Sequence, residues 1–245
     1  MKKFNLENTV RQLLTPQEVL APWLFDANNV MLSDVRDDLL KIADFFVAQT
    51  VGDIAGLEVY DVTLTGSCSG YHYRQSSDID LRIEIHNENC KELAKDKKHF
   101  EKFLSAQTVC LLHNGEFMKY KGRFVDVKLS CYQIDFVSLY SIKNNKWLVY
   151  PEKDFKVTED EMTAYYEKRR KAIKDELIKI RRKYKGIELG RQLYEFYGRV
   201  VSGCYSNGAT VKDRIVFKLL NEERILKPIG AESILAYNDA FSLKF

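Results

Sequence analysis

Asp78 and Asp80 in the run Ser76-Ser77-Asp78-Ile79-Asp80-Leu81-Arg82-Ile83 are the residues whose spacing could do chemistry. The run alternates. Ile79, Leu81, Ile83 and Ile85 share one face of a predicted strand, and Asp78, Asp80, Arg82 and Glu84 share the other. At strand rise the two aspartates stand about 7 Å apart at Cα. Two carboxylates at that separation repel unless a cation lies between them. A hard divalent ion such as Mg²⁺ takes oxygen ligands and keeps waters that a substrate phosphate can replace. Upstream lies Leu64-Thr65-Gly66-Ser67-Cys68-Ser69-Gly70, a tight Gly-Ser turn that follows a predicted strand from Val59 to Thr65. An exposed strand carrying two solvated acids after an ordinary turn fits the same residues.

An apolar residue before Gly-Ser, about ten residues, then Asp-apolar-Asp-apolar resembles the signature of the polymerase-beta-like nucleotidyltransferase superfamily. Here it reads Leu64, Gly66-Ser67, then Asp78-Ile79-Asp80-Leu81. The resemblance covers about residues 33–150. It implies a third acid on a later strand, and Asp126 in Arg123-Phe124-Val125-Asp126-Val127-Lys128-Leu129-Ser130 fits. Val125, Val127 and Leu129 alternate with Asp126 and Lys128, so Asp126 faces away from an apolar surface, as an ordinary surface aspartate also would. The resemblance further implies nucleotidyl transfer with two Mg²⁺ or Mn²⁺ ions on Asp78, Asp80 and Asp126, and an NTP as substrate. Gly66 would let backbone approach the phosphates, and Ser67 would bind one through its amide and hydroxyl. Ser77 is a further candidate beside the site. Lys128 is a phosphate contact or a plain surface lysine.

These residues need elements to hold them. Ser33 is read as the N-cap of a helix to about Thr50, with Val35, Leu39, Ile42, Phe46 and Val47 as its apolar stripe. Thr15 and Pro16 read as the start of a short helix. A helix is expected over 88–105, and turns at Asn114-Gly115 and Lys121-Gly122. The second turn would bring Lys119 near Asp126. A further strand pair is placed at 138–142 and 147–149. From Thr158 the pattern becomes helical, beginning with a Thr158-Glu161 capping box. Helices are expected from there to about Tyr184, over 188–203 and over 211–225. The fold class is therefore α+β: a nucleotidyltransferase domain with a small mixed sheet over residues 1–157, its N-terminal part wrapping it, then a helical domain over 158–245. The layout also resembles nucleotidyltransferase-type proteins of phages.

The chain has 245 residues, 45% hydrophobic and 12% aromatic, enough for a packed core. Its net charge of +3 does not by itself demand a nucleic acid partner. The basic stretch 167–185 is a possible RNA or DNA track through Lys168, Arg169, Arg170, Lys174, Arg181 and Arg182, or equally a solvated helix face. Five scattered cysteines with no Cys-x-x-Cys pair argue against a zinc site and for reduced thiols in the cytoplasm, the host's if phage-encoded. No apolar run reaches membrane-spanning length, and no signal-peptide core is visible at the N-terminus, so no membrane partner is expected. The reading is NMP transfer to an acceptor hydroxyl, an RNA end resembling that of tRNA. The alternatives are a protein-modifying adenylyltransferase and a non-catalytic nucleotide- or RNA-binding module.

Overall fold

The computed structural model describes residues 4–52, 57–87, 119–130, 136–205 and 209–232. The expected helix over 88–105 and the Asn114-Gly115 turn lie outside them. The chain divides into two units, Pro16–Asp154 and a second made of Met1–Thr15 with Phe155–Phe245.

The first unit is a mixed six-stranded sheet. Its strands are β1 (Leu57–Thr65), β2 (Ile79–Asn87), β3 (Lys119–Tyr120), β4 (Arg123–Ser130), β5 (Leu139–Ser141) and β6 (Lys146–Val149), in the order β3-β4-β2-β1-β5-β6. β2 runs antiparallel to β1 and parallel to β4. The apolar residues of the alternating runs share one core: Val62 and Leu64 from β1, Ile79, Leu81, Ile83 and Ile85 from β2, and Val125, Val127 and Leu129 from β4. With Leu20, Leu24, Phe25 and Met31, helix α2 (Ser33–Thr50) supplies Val35, Leu39, Ala43 and Phe46 to the same core. Ser33 is the first helical residue rather than the cap. Leu32 takes the cap position and makes no side-chain cap bond, so this end relies on Asp34 against the helix dipole. β3 and β4 are joined through Lys121 (φ 48°) and Gly122 (φ 80°), the two positive φ angles that a tight hairpin turn needs.

The second unit is helical: α1 (Leu6–Leu14), α3 (Glu159–Lys183), α4 (Gly186–Tyr205) and α5 (Val211–Glu222). Its core holds Val10 and Leu13 with Met162, Tyr166, Ile173 and Leu177, and Leu193, Phe196, Ile215 and Leu219. Thr158 and Glu161 form the capping box expected of them, and Thr210 with Asp213 forms a second one on α5. Each cap contributes about 1 kcal/mol. The N-terminal residues differ from their expectation. They form a helix that packs on α3, and Thr15 closes that helix instead of opening another. Residues 1–15 therefore belong with the helices, and the division falls at 154/155 rather than 157/158. The physical reason is the apolar face of α1, Val10 and Leu13, which the helical core buries.

Candidate functional site

The site is built at the end of the sheet where β1 leaves and β2 enters. Three strands present a row there: Thr65 on β1 opposes Asp80 on β2, and Asp80 opposes Asp126 on β4. Side chains in register on neighbouring strands point to the same face, so the Asp80 and Asp126 carboxylates rise side by side from Cα atoms about 4.8 Å apart. Asp78 stands one residue ahead of β2 and is exposed. Asp80 is half-buried, and the Asp126 side chain keeps 34% of its surface open.

Lys128 lies two residues beyond Asp126 on the same face. Its Nζ is 2.7 Å from Asp126 Oδ2, while 63% of its side chain stays exposed. Desolvation pulls the Lys128 ammonium downward, but the fields of Asp126, Asp80 and Asp78 outweigh it and hold the group above its ordinary value. One cation thus senses all three acids. Lys119, expected near Asp126, instead opposes Phe124 and sits 5.1 Å from that ring's centre. The hairpin register makes Lys128, not Lys119, the ammonium at this acid.

Gly66 follows β1 with φ 76° and ψ −159°, a conformation essentially reserved for glycine. A Cβ built there would fall 1.9 Å from Asp80 Oδ2. The missing side chain is what gives the Asp80 carboxylate its place. Ser67 does not start a long helix. It opens a single 3₁₀ turn, Ser67–Ser69, and its hydroxyl donates to Ser77 Oγ at 3.0 Å. Ser77 Oγ also accepts from the Arg74 amide at 2.9 Å. Buried Cys68 donates to the Asp78 carbonyl at 3.0 Å, and Ser69 Oγ lies 2.6 Å from Ser138 Oγ. These bonds tie the Gly66–Asp78 connector to itself and, through Ser69, to Ser138, and fix where Asp78 leaves it.

Several residues of this frame do not stand out in the sequence. Arg123 donates to the carbonyls of Gln75 and Ser77 and stacks on Trp23, its guanidinium carbon 3.8 Å from the ring centre. Trp23 meets Tyr73 edge-on at 4.9 Å. The first residue of β4 therefore clamps the connector that carries Asp78. Arg82 and Glu84, which share the polar face of β2 with Asp80, are only 8% and 7% exposed. Arg82 donates to Ser130 Oγ and lies over the Phe136 ring. β2 is a central strand of the sheet, a position that the local sequence does not reveal.

The donor chemistry suits a hard divalent cation: Asp80 and Asp126 stand side by side on adjoining strands, and exposed Asp78 lies one residue ahead of β2. Asp78, Asp80 and Asp126 are the residues that would hold it. Among the described residues no three acidic, histidine or cysteine side chains are drawn together as a ready metal cage. The fit is one of donor chemistry and of the space kept by Gly66.

The basic helix is a different matter. Arg170 and Lys174 both bond Glu223, Lys174 at 2.9 Å, and Tyr166 donates to the same carboxylate at 2.6 Å. Arg181 pairs with Glu232. Arg169 is partly buried against Gly203 and near Cys204 and Asp213. Three of the six candidate nucleic-acid contacts are therefore engaged in ion pairs within the unit, two of them sharing one carboxylate, and a fourth is drawn inward. Lys168 and Arg182 remain exposed.

No helix among the described residues is long and apolar enough to cross a membrane. Comparison with known proteins finds no matching family model, no matching curated protein and no matching solved structure.

Proposed function

We propose that the protein is a metal-dependent nucleotidyltransferase of the polymerase-beta-like kind, moving a nucleoside monophosphate from an NTP to an acceptor hydroxyl on an RNA end. The observation that carries this is the in-register pairing of Asp80 with Asp126 on an open face, with Gly66 pressed against Asp80. Mg²⁺ or Mn²⁺ bound there would neutralise triphosphate charge and acidify the attacking hydroxyl. Asp78 and Asp80 serve the triphosphate side, and Asp126, from the neighbouring strand, the acceptor side. The acceptor oxygen bonds to the α-phosphorus, the bond to the β-phosphate breaks, and pyrophosphate leaves in line. Such a transfer needs positioning and charge neutralisation rather than a covalent nucleophile. Positioning comes from the Arg123 clamp on the connector, and charge from Lys128. The RNA part of the reading rests on the exposed Lys168 and Arg182 of α3.

The test offers each of four labelled NTPs, with Mg²⁺ or Mn²⁺, to total RNA, DNA and lysate protein. Label is expected on RNA and is lost in Asp80→Asn and Asp126→Asn. Label on protein instead would favour a protein-modifying adenylyltransferase. Transfer to no acceptor, or transfer that survives Asp78→Ala, overturns the enzymatic reading.

A further inference from the structure

Helix α3 sorts its cations by the direction they face. Met162, Tyr166, Ile173, Leu177 and Ile180 form its buried stripe. Arg170, Lys174 and Arg181 lie beside that stripe and are held by Glu223 and Glu232. Lys168, Lys171, Lys179 and Arg182 are exposed, and no carboxylate among the described residues pairs with them. At about 3.6 residues per turn these four fall within an arc of about 80°, opposite the buried stripe. They form two i,i+3 pairs, 168/171 and 179/182, whose midpoints are about 16 Å apart along the axis. Exposed Asp175 lies between the pairs in the same arc.

We infer that this outer face of α3 bridges the two phosphate backbones of a double-helical stem in the RNA that carries the acceptor end, one cation pair on each backbone. The inference rests on the proposed function and names the form of its RNA substrate. Two cations at i,i+3 spacing can meet neighbouring phosphates of one strand. A single strand laid along the helix axis would pass over Asp175, whose carboxylate repels it midway. A stem crossing the axis puts its two strands over the two pairs and its groove over Asp175. The separation of the pairs is on the scale of a nucleic-acid groove (about 12 Å across the major groove of B-DNA), given the reach of lysine and arginine side chains. Double-helical RNA is read in this way, by its shape and backbones rather than by base edges. A membrane surface suits the stripe less. Among the described residues Ile178 is the one large apolar side chain exposed on α3, and an interfacial helix needs an apolar face to insert.

Fluorescence anisotropy of the full chain with a labelled RNA stem-loop, and with an unpaired RNA of the same length, tests this between about 50 mM and about 200 mM salt. The set is wild type, Lys168→Gln with Lys171→Gln, Lys179→Gln with Arg182→Gln, and Asp175→Asn. Lys185→Gln with Lys227→Gln is the control, removing two exposed charges of the same unit that lie off α3. Wild type is expected to bind the stem-loop tighter than the unpaired RNA. Each stripe double variant is expected to lose roughly tenfold or more for the stem-loop at about 0.1 M salt, with a log–log salt slope shallower by about 1.8, while the control keeps both. Asp175→Asn is expected to strengthen binding of the unpaired RNA more than that of the stem-loop. A control that loses as much as the stripe variants reduces the effect to general charge and overturns the inference. Unpaired RNA that binds as tightly as the stem-loop, or an unchanged slope in either stripe variant, overturns it too. Tighter binding to vesicles of anionic lipid than to the stem-loop overturns it in favour of a membrane. Label transfer to RNA with a KM that neither stripe variant moves overturns the inference and leaves the proposed chemistry standing. Stem-loop binding that follows the stripe, with no label transferred to any acceptor, supports the inference and removes the chemistry. Far-ultraviolet circular dichroism checks that the variants are folded, and the exposure of the substituted residues predicts that they are.

Discussion

Gly66→Ala should be costly for two separable reasons, and one of them is Asp80. The backbone at φ 76° and ψ −159° lies in a region that L-residues avoid, at a cost of about 2 kcal/mol. The added methyl would sit 1.9 Å from Asp80 Oδ2 and 2.7 Å from its Cγ, so the carboxylate must rotate away, which costs about 1–3 kcal/mol more. Gly122→Ala provides the contrast. It too has a positive φ, 80°, but nothing within 4 Å of the new methyl, and should lose only about 1 kcal/mol. The Asp80 share can be isolated in an Asp80→Ala background, where the nearest surviving atom, Asp80 Cβ, is 3.1 Å away and can give by a few tenths of an ångström. The assay is urea unfolding followed by tryptophan fluorescence. The chain has two tryptophans, Trp23 and Trp147, both within Pro16–Asp154, so the signal reports the sheet unit alone. A double-mutant cycle should give a coupling of about 1–3 kcal/mol between positions 66 and 80. A coupling below about 0.5 kcal/mol would refute the claim that Gly66 is there to make room for Asp80.

Two further outcomes follow from named contacts. Burial alone would raise the Glu223 carboxyl, but hydrogen bonds from Arg170, Tyr166 and Lys174 outweigh it and hold it at about 2, against an ordinary 4.5. Its folded value is depressed, so its stabilisation is complete above pH about 4.5 and fades as pH falls toward about 2. Glu223→Gln should cost roughly 2 kcal/mol near neutrality and flatten this acid dependence, read as urea midpoints by far-ultraviolet circular dichroism; an unchanged acid limb refutes the assignment. Arg123→Ala should release the connector. Hydrogen exchange of amides 71–78 should speed up, with a stability loss of about 1–3 kcal/mol, and Arg123→Lys should restore little, because a lysine cannot both stack on Trp23 and fork to two carbonyls.

Local pattern made much of this legible. The alternation in residues 79–85 and 123–130 specifies which face is apolar, and the same residues are buried in one core. Thr158-Glu161 and Lys121-Gly122 are short-range signals, and each forms the element expected of it. What sequence hid is pairing across long separations. Nothing local says that β4 lies parallel beside β2, so the Asp80–Asp126 register had no sequence signal beyond the resemblance. Arg170 looks like a solvated cation until Glu223, 53 residues on, is brought to it. Alternation puts Arg82 and Glu84 on the polar face of β2 but does not say whether that face is covered.

The pairing of Asp80 with Asp126 is the feature that sheet stability alone does not explain. Like charges directly opposite each other on neighbouring strands are destabilising, and Asp78 adds a third from the same connector. Lys128 brings an ammonium to Asp126, while Arg82 on the facing strand bonds Ser130 and lies over Phe136. Gly66 adds to the cost, since a conformation closed to other residues is kept where it makes room for the Asp80 carboxylate. Paired carboxylates beside a glycine held at φ 76° are a local cost that the proposed metal site would offset. A strand edge serving only as scaffold would be more stable with any one of those acids replaced by a neutral residue.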